Sequence, residues 1–493
     1  MQEQTVLAQF DAMAASQPKR VAIFWGGERL TYGQLRERID ACAGVLQGEI
    51  GIQPRDRVGI LLKNCPEFIV VLYAALKSGA TVVPVNTFLK VPEIQHIVDD
   101  CQLKCLITDE SFEEVTAKLE RVQIVPAKSI PHNATTPSLH FLTLSLSDLA
   151  VIIYTSGTTG KSKGAMLTHG NIAANVRSCV RALEETSADR LTLLLPMFHS
   201  FMLTVCIFTP LSMGAGIVLI KSVQPFKLAL REIIRGRATI LVGIPQLFQA
   251  MAQAKVPFWL HWVLPLRMAI SGAAPLPRET LDQFERKFRF PLLEGYGLSE
   301  AAPVVSFNPY HGVRKAGSVG LALPDIDVRI FDTEGRELPA EQVGEIVVRG
   351  PNVMQGYYNQ REETAFTLRI GWLHTGDMGK KDADGYIYIV DRRKEMLLVR
   401  GMNVYPREIE EVLYKFPNVR EAAVVARPDE KRGEAPIAFV SPVTGVTLHP
   451  HEILRYCREQ LADYKVPREI RVVESLPRTA TGKIAKLELK KQL

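Results

Sequence analysis

The feature that most constrains this chain is an apolar run that stops abruptly in hydroxyls, glycines and lysines, at residues 152–164 (IIYTSGTTGKSKG). The apolar half predicts a buried strand. In the second half, glycines leave backbone N–H groups free to face an anion, and hydroxyls and an ammonium add donors. These donors come from Ser156, Gly157, Thr158, Thr159, Gly160, Lys163 and Gly164. The pattern therefore predicts a strand that leads into a loop binding a polyphosphate.

The sequence leaves one alternative interpretation of this loop open and excludes another. Its composition also fits a flexible surface turn, so composition alone leaves that alternative open. A Walker loop is excluded, because its first glycine would fall where Thr155 stands. Asn171 is predicted to cap the helix that follows.

The length and the cysteines bound the class of protein. A chain of 493 residues with 47% hydrophobic content is expected to form two or three soluble domains. Its seven cysteines are scattered and no secretory leader precedes them, which indicates a reduced, cytoplasmic setting. Cys101 and Cys105 have no second pair at metal-site spacing, so buried thiols are favoured over zinc.

The positive charge is concentrated near the C-terminus. From Arg392 onward there are 20 Lys or Arg against 14 Asp or Glu, which accounts for the whole net charge of +6. Such a basic part suits an anionic ligand such as ATP or coenzyme A, although a solvated basic face gives the same bias. No pattern typical of nucleic-acid binding is present, so no nucleic-acid partner is expected.

One charge-free segment tests the expectation of a soluble protein. Residues 191–220 contain no Lys, Arg, Asp or Glu and are long enough to cross a membrane. Prolines and glycines interrupt the segment at Pro196, Pro210, Gly214 and Gly216, so a strand end, a helix and a second strand are favoured. The aromatic stretch 256–264 leaves peripheral membrane contact as a further hypothesis.

The order of strand and helix signals predicts an α/β fold. Strands at 57–62 and 81–85 flank a helix at 66–78, which makes a βαβ unit, and a second α/β unit extends to about residue 310. Short β-rich segments from 317 to 358 predict a small barrel-like subdomain. We therefore expect a large N-terminal domain, residues 1–391, of two α/β subdomains plus the barrel-like one, and a small, mobile α+β C-terminal domain, residues 392–493.

Four later motifs make the signal specific. They are EGYGLSE at 294–300, GWLHTGD at 371–377, DRRKEM at 391–396 and PRTATGK at 477–483. Together with the opening loop, their order and spacing resemble the adenylate-forming superfamily, and acyl-CoA synthetases in particular, over nearly the whole chain. The resemblance implies that the carboxylate of an acid attacks the α-phosphate of ATP, releasing pyrophosphate, and that a thiol then attacks the acyl-adenylate.

The resemblance also assigns roles to residues. Thr155, Ser156, Gly157, Thr158, Thr159, Gly160 and Lys163 would hold the β- and γ-phosphates; Glu300 with Thr155 would position Mg²⁺, and Ser299 would touch the α-phosphate. Asp377 and Arg392 would bind the ribose and Tyr296 would stack on adenine, within the stretch Glu294, Gly295, Tyr296 and Gly297. Gly272, Ala273 and Ala274 would form a small-residue wall. Lys483 would bridge the acid carboxylate and the α-phosphate, and Lys394 would be the hinge of the small domain. Gly401 would line the channel for the pantetheine arm of coenzyme A.

The acid is predicted to be apolar. His199 resembles the histidine that borders the acyl pocket, although a buried histidine bonded to backbone is a rival explanation. No Asp or Glu lies between Leu191 and Glu232, which disfavours an amino acid because its ammonium would be unpaired. A medium- or long-chain fatty acid is the first choice, and an aryl or arylpropenoic acid the second.

Several points stay open at this stage. Met202, Ser162 and Asp325 depart from the common pattern, and Met202 puts the chain length in doubt. The resemblance favours coenzyme A as the acceptor over an acyl carrier protein or no thiol, because adenylate-only relatives that act on fatty acids usually carry an extra insertion in the large domain, whereas this chain is short between residues 271 and 294. A non-catalytic binding protein is disfavoured, because Lys483, Glu300 and Asp377 are all present.

Overall fold

The computed structural model describes residues 4–130, 143–156, 162–223, 226–254, 264–392, 395–399, 402–429, 433–478 and 483–493. The helices in this part of the chain are α1 (Val6–Ser16), α2 (Tyr32–Gly48), α3 (Pro66–Lys77), α4 (Val91–Cys101), α5 (Glu113–Thr116), α6 (His169–Leu183), α7 (Thr209–Met213), α8 (Phe226–Gly236), α9 (Pro245–Gln253), α10 (Arg278–Lys287), α11 (Arg361–Thr367), α12 (Pro406–Tyr414), α13 (Pro450–Gln460) and α14 (Lys486–Lys490). A π-helix spans Met202–Phe208, and short 3₁₀ helices span Glu110–Phe112, Ala127–Ser129 and Ser299–Ala301.

The strands, again in the described residues, pack into four sheets. They are β1 (Val21–Trp25), β2 (Glu28–Thr31), β3 (Arg57–Leu61), β4 (Thr81–Pro84), β5 (Cys105–Thr108), β6 (Gln123–Pro126), β7 (Leu149–Ser156), β8 (Ser162–Thr168), β9 (Arg190–Leu193), β10 (Gly216–Leu219), β11 (Ile240–Gly243), β12 (Met268–Ser271), β13 (Leu292–Gly297), β14 (Val304–Phe307), β15 (Leu321–Ala322), β16 (Asp327–Phe331), β17 (Gly344–Arg349), β18 (Gly356–Tyr357), β19 (Leu368–Arg369), β20 (Trp372–Lys381), β21 (Ile387–Arg392), β22 (Leu397–Val399), β23 (Met402–Val404), β24 (Val419–Asp429), β25 (Gly433–Pro442) and β26 (Glu469–Val472).

Two large sheets form the body of the N-terminal part. One has the strand order β15-β14-β13-β12-β11-β9-β10-β1-β2, and the other β18-β8-β7-β4-β3-β5-β6. Strands β9 to β13 run parallel and are almost entirely buried, as expected of strands covered by helices on both faces. Side chains from both sheets and their helices share one apolar core.

Two smaller sheets follow. Strands β16-β17-β20-β19, with β21 on β20, form an antiparallel sheet, and β23-β22-β25-β24, with β26 on β25, form the C-terminal sheet with its own core. The predicted α/β fold with a large N-terminal and a small C-terminal domain is confirmed.

Local sequence explains where several helices begin. Thr31 and Gln34 form a capping box at the start of α2, and proline opens α3, α9, α12 and α13, where its fixed φ suits the first turn. The prediction that Asn171 caps α6 is wrong in detail. Thr168 is the N-cap, and its side chain accepts a hydrogen bond from the Asn171 N–H. The Asn171 side chain, at the third helical position, accepts one from the Thr168 N–H.

The charge-free segment folds as the predicted strand, helical stretch and second strand; Pro196 precedes the helical stretch and Gly214 ends it, whereas Pro210 lies within it. It forms β9, the π-helix, α7 and β10, all largely buried. Nowhere in the described part of the chain does a helix combine the length and apolar character that crossing a bilayer requires. The stretch 256–264 lies outside the described residues except for Leu264.

All seven cysteines are free thiols, and all but Cys65 are buried.

Asp325 has a φ of +68°, so it occupies a left-handed backbone position that otherwise favours glycine. Its carboxylate pairs with Arg181.

Candidate active site

The opening motif folds as a hairpin. Strands β7 and β8 pair antiparallel, with Thr155 opposite Lys163 and Ser156 opposite Ser162. The predicted phosphate loop therefore connects two strands, and α6 begins only after β8. Gly157, Thr158, Thr159 and Gly160, as well as the side chain of Ser156, lie outside the described residues.

The two predicted metal ligands lie together. Thr155 Oγ1 is 3.5 Å from Glu300 Oε1, and the hydroxyl of Tyr357 donates to the same carboxylate oxygen at 2.9 Å. Carboxylate and hydroxyl oxygens suit a hard cation such as Mg²⁺, which keeps several waters and takes few protein ligands. The oxygen donors present therefore fit the metal that the motif implies.

Lys163 has partners that the sequence did not reveal. Its side chain is buried, its ammonium is paired with Glu363 of α11, and it lies 5.5 Å from the centroid of the Tyr357 ring. Tyr357 thus contacts both Lys163 and Glu300. The role of Lys163 in holding the leaving phosphates stays a prediction.

Residues after β9 meet the 3₁₀ helix of Glu300. Ser200 Oγ and Ser299 Oγ are 3.0 Å apart. His199 accepts a weak bond from the Phe201 N–H at 3.4 Å. Burial, and next the positive charge of Lys483, lower the pKa of His199 to about 4, so the imidazole is neutral at pH 7. Lys483 of the C-terminal domain thus lies close enough to His199 to act on it electrostatically.

The small-residue stretch after β12 borders this histidine region. A Cβ atom at Gly272 would lie 2.9 Å from the Phe201 ring, so the ring occupies space that any other residue would fill. Ala273 has a φ of +66°, and both Ala273 and Ala274 are partly exposed. The stretch forms a wall whose position next to Phe201 depends on the missing side chain at Gly272.

Tyr296 and Asp377 are joined directly. The Tyr296 hydroxyl donates to Asp377 Oδ2 at 2.6 Å, and both side chains are buried. Asp377 lies opposite Arg392 in the pairing of β20 and β21, although the Arg392 side chain lies outside the described residues. Gly295 and Gly297 lack side chains where β14 approaches β13, since a Cβ at either would overlap the neighbouring strand.

Glu345 supports the turn that carries Asp377. Its carboxylate accepts from the Gly376 N–H at 3.2 Å and lies 2.9 Å from Nδ1 of the buried His374. Glu345 and Tyr357 belong to none of the motifs that carry the resemblance, so the sequence alone does not indicate them. Only tertiary structure brings them to the site.

Glu294 is a buried carboxyl between site loops. It accepts a hydrogen bond from the Leu276 N–H at 3.0 Å, just beyond the small-residue wall. Burial raises its pKa to about 7, while Arg407 of α12 acts in the opposite direction. Glu294 therefore joins β13 to the segment that follows the wall, and it lies within electrostatic range of Arg407 in the C-terminal domain.

The predicted hinge residue, Lys394, and the predicted channel residue, Gly401, lie outside the described residues. The half-buried Lys486 pairs with Glu395 at 3.1 Å and Glu410 at 2.8 Å, which ties the segment that follows Lys483 to α12.

Comparisons with known proteins agree with this arrangement. The family model described as AMP-binding enzyme matches residues 10–358, and the model of the AMP-binding enzyme C-terminal domain matches residues 408–483. The chain belongs to the AMP-binding enzyme family. It is 37% identical to a feruloyl-CoA synthase of Amycolatopsis over 97% of both chains. It is also 34% identical to a long-chain-fatty-acid–CoA ligase of Bacillus subtilis, over 97% of this chain and 92% of that one.

A solved structure extends the likeness to three dimensions. ATP-bound MatB from Rhodopseudomonas palustris superposes with a TM-score of 0.91 at 31% identity, covering 99% of both chains. Our chain, as a member of the AMP-binding enzyme family, is therefore an AMP-forming acid–CoA ligase that uses ATP, Mg²⁺ and coenzyme A.

Proposed function

We propose that the acid substrate is a medium- or long-chain fatty acid, converted to acyl-AMP and pyrophosphate and then to acyl-CoA and AMP. The surroundings of His199 support this choice. Every residue of the π-helix Met202–Phe208 is buried, and the segment 191–220 has no charged side chain. An alkyl chain is stabilised in such surroundings, whereas an ammonium would be left unpaired.

The observation that carries the proposal is the contact between Phe201 and Gly272. It supports an apolar wall beside the predicted carboxylate site, because the Phe201 ring lies against Gly272 and is 8% exposed. The ring supplies a hydrophobic wall and no hydrogen-bonding group. The body of the acid is thus recognised by shape and apolar contact, and its carboxylate by charged groups.

The placement of the polar residues supports the roles that the proposal gives them. Lys483 would neutralise the carboxylate as it approaches the α-phosphate, and its charge lies near His199. Thr155 and Glu300 would hold Mg²⁺, which lowers the repulsion between the two anions when bound. Asp377, oriented by Tyr296, would accept from the ribose hydroxyls.

Domain rotation completes the proposal. The small domain, residues 392–493, would turn about Lys394 after adenylation so that Gly401 lines the thiol channel. The electrostatic effects of Arg407 on Glu294 and of Lys483 on His199 belong to the arrangement described above. A turn of the small domain would weaken both effects.

An arylpropenoic acid is the second candidate. The likeness to a feruloyl-CoA synthase favours it, and the Phe201 ring would also stack on an aromatic acid. Both candidates share the same chemistry at the carboxylate. They differ in the shape of the apolar body that the wall must accept.

A substrate panel tests the proposal. Pyrophosphate release is measured with ATP and fatty acids of increasing length, arylpropenoic acids and amino acids, each with coenzyme A, with a holo acyl carrier protein, or with neither. We expect the highest kcat/KM for a fatty acid with coenzyme A. A higher value for an arylpropenoic acid would replace the first candidate by the second, and an amino acid as best substrate would overturn both.

A further inference from the structure

A cleft rich in arginine lies at the far end of the nine-stranded sheet. It has a volume of about 500 Å³, and its lining includes five arginines: Arg20, Arg29, Arg190, Arg235 and Arg237. Among the described residues that line it, the only acid is Asp189. The cleft therefore concentrates positive charge.

Asp189 does not neutralise these five guanidinium groups. Its carboxylate accepts from Arg267 Nε at 2.8 Å and from Arg267 Nη2 at 3.0 Å, and also from the Thr239 hydroxyl at 2.7 Å. Arg267 is not part of the lining. The acid is thus already paired, and five positive charges face one volume.

Structural roles account for only two of the five arginines. Arg20 donates to Gln17 and to the Ser187 carbonyl, and Arg190 donates to the Gly236 carbonyl at 2.9 Å, at the end of α8. Within the described residues, the side chains of Arg29, Arg235 and Arg237 take part in no hydrogen bond or ion pair, and the Arg29 guanidinium has only a ring contact, 5.9 Å from the Phe24 centroid. These three side chains are available to a ligand.

Strand pairing and two glycines bring the arginines close together. Arg29 lies opposite Phe24 in the pairing of β1 and β2, and the guanidinium of Arg190 lies 4.7 Å from the centroid of the Phe24 ring. Arg235 lies against the turn at Gly27, where a Cβ would be 2.6 Å from its Cζ. Gly216 leaves open the space between Phe24 and Arg190.

Mutual repulsion among the arginines acts on Arg190. Burial lowers its pKa, and the charges of Arg237, Arg29 and Arg20 lower it further. A bound anion would relieve this repulsion. Guanidinium groups bind phosphate through paired, charge-assisted hydrogen bonds, so phosphate is the anion that the cleft suits best.

The cleft is separate from the catalytic site. Arg190 and Gly216 are the first residues of β9 and β10, whereas His199 and Gly272 follow the last residues of β9 and β12. The first and last Cα atoms of a four-residue strand lie roughly 10 Å apart. The cleft and the catalytic residues therefore lie toward opposite ends of the parallel strands.

We propose that this arginine cleft is a second binding site, and that its ligand is a phosphate group, carried either by a soluble phosphorylated compound or by the headgroup of an anionic lipid. The proposal does not depend on the identity of the acid. The basic residues Lys227 and Arg231 precede Arg235 at four-residue spacing on α8 and are exposed, so they extend the positive field outward from the cleft.

The test uses the full chain with its nucleotide site saturated with AMP. Calorimetry measures binding of inorganic phosphate and glycerol 3-phosphate, and cosedimentation measures binding to vesicles of phosphatidylglycerol mixed with phosphatidylcholine, against phosphatidylcholine alone. The triple variant R29Q/R235Q/R237Q removes the three unpaired arginines. The matched control K104Q/K118Q/R455Q removes three exposed charges elsewhere.

We expect the wild type to bind at least one phosphate probe and the triple variant to bind it about 100-fold more weakly, with the control within about twofold of the wild type. R29Q and R237Q alone should each weaken binding about fivefold, which provides a test if the triple variant does not fold. Binding to the phosphatidylglycerol vesicles alone identifies a lipid headgroup, and binding of glycerol 3-phosphate or inorganic phosphate identifies a soluble ligand. Absence of binding to every probe, or equal loss in the triple variant and the control, overturns the proposal. Ligase activity should be unchanged in the triple variant.

Discussion

Replacing Glu294 by glutamine should change how the stability of the large domain depends on pH. The carboxyl is 3% exposed, and its pKa is raised from 4.5 to about 7 by burial. Between these pH values the folded state binds more protons than the unfolded state, so raising the pH favours unfolding. The stability that depends on the neutral carboxyl is complete below pH 4.5, falls between pH 4.5 and 7, and is lost above pH 7.

The size of the effect follows from the shift. A shift of one pKa unit corresponds to about 1.4 kcal/mol, so ionisation of Glu294 costs the wild type about 3 kcal/mol at alkaline pH. Glutamine has no charge at any of these pH values and still offers an oxygen to the Leu276 N–H. The free energy of unfolding of Glu294→Gln minus that of the wild type should therefore grow by about 3 kcal/mol between pH 4.5 and roughly pH 8.

Urea unfolding at a series of pH values, followed by tryptophan fluorescence, measures this difference. All four tryptophans lie at or before Trp372, so their signal reports on the large domain. The matched control is Glu114→Gln, whose side chain is exposed and whose difference curve should be flat. A flat curve for Glu294→Gln, or one that grows toward acid pH, would refute the reasoning.

Four further outcomes are expected. Lys483→Ala should lower pyrophosphate exchange roughly 10²- to 10³-fold, whereas the exposed Lys491→Ala should not; near wild-type exchange in the first variant would remove Lys483 from its role. Glu345→Gln should raise KM for ATP about tenfold with a smaller change in kcat, because it weakens charge-assisted hydrogen bonds that support the Asp377 turn; steady-state kinetics that show an unchanged KM would count against this. Phe201→Ala should raise kcat/KM for bulkier acids relative to the best wild-type substrate, and an unchanged ranking in the substrate panel would contradict its placement at the acyl wall. Glu185→Gln should stabilise the chain increasingly up to about 5 kcal/mol as the pH rises from 4.5 to 8, because burial raises the pKa of this carboxyl to about 8; urea unfolding that shows no gain would refute it.

The arrangement around Glu300 shows how the site depends on distant parts of the chain. Thr155 comes from the end of β7, Glu300 from a 3₁₀ helix and Tyr357 from β18, and their oxygens meet within hydrogen-bonding range. Tyr357 also contacts Lys163 through its ring. A change at Tyr357 would therefore disturb both the carboxylate and the lysine.

Much of the fold could be predicted from the sequence because it follows from local patterns. The strand ending at Ser156 was indicated by its apolar run, and α3 by Pro66 and the helical spacing of its apolar residues. The break-up of residues 191–220 agrees with Pro196 before the helical stretch and Gly214 at its end, whereas Pro210 does not interrupt the helix. These signals act over a few residues, so no knowledge of distant contacts was needed.

The order of the motifs predicts candidate site residues, but it does not predict how they are held. The hydrogen bond from Tyr296 to Asp377, the support of Gly376 by Glu345 and the pairing of Lys163 with Glu363 each join residues far apart in the sequence. The pattern of one segment has no information about the geometry of another, because such contacts form only when strands from different parts of the chain are brought side by side.

By itself, then, the sequence determined the α/β class, the strand before the phosphate loop and the set of candidate catalytic residues, since periodicity, turn residues and motif spacing are local properties. Only the tertiary structure decided that Lys483 acts on His199, that Phe201 fills the space beside Gly272, and that five arginines converge on one cleft. Electrostatic and packing interactions depend on distance in space, and the fold alone sets those distances.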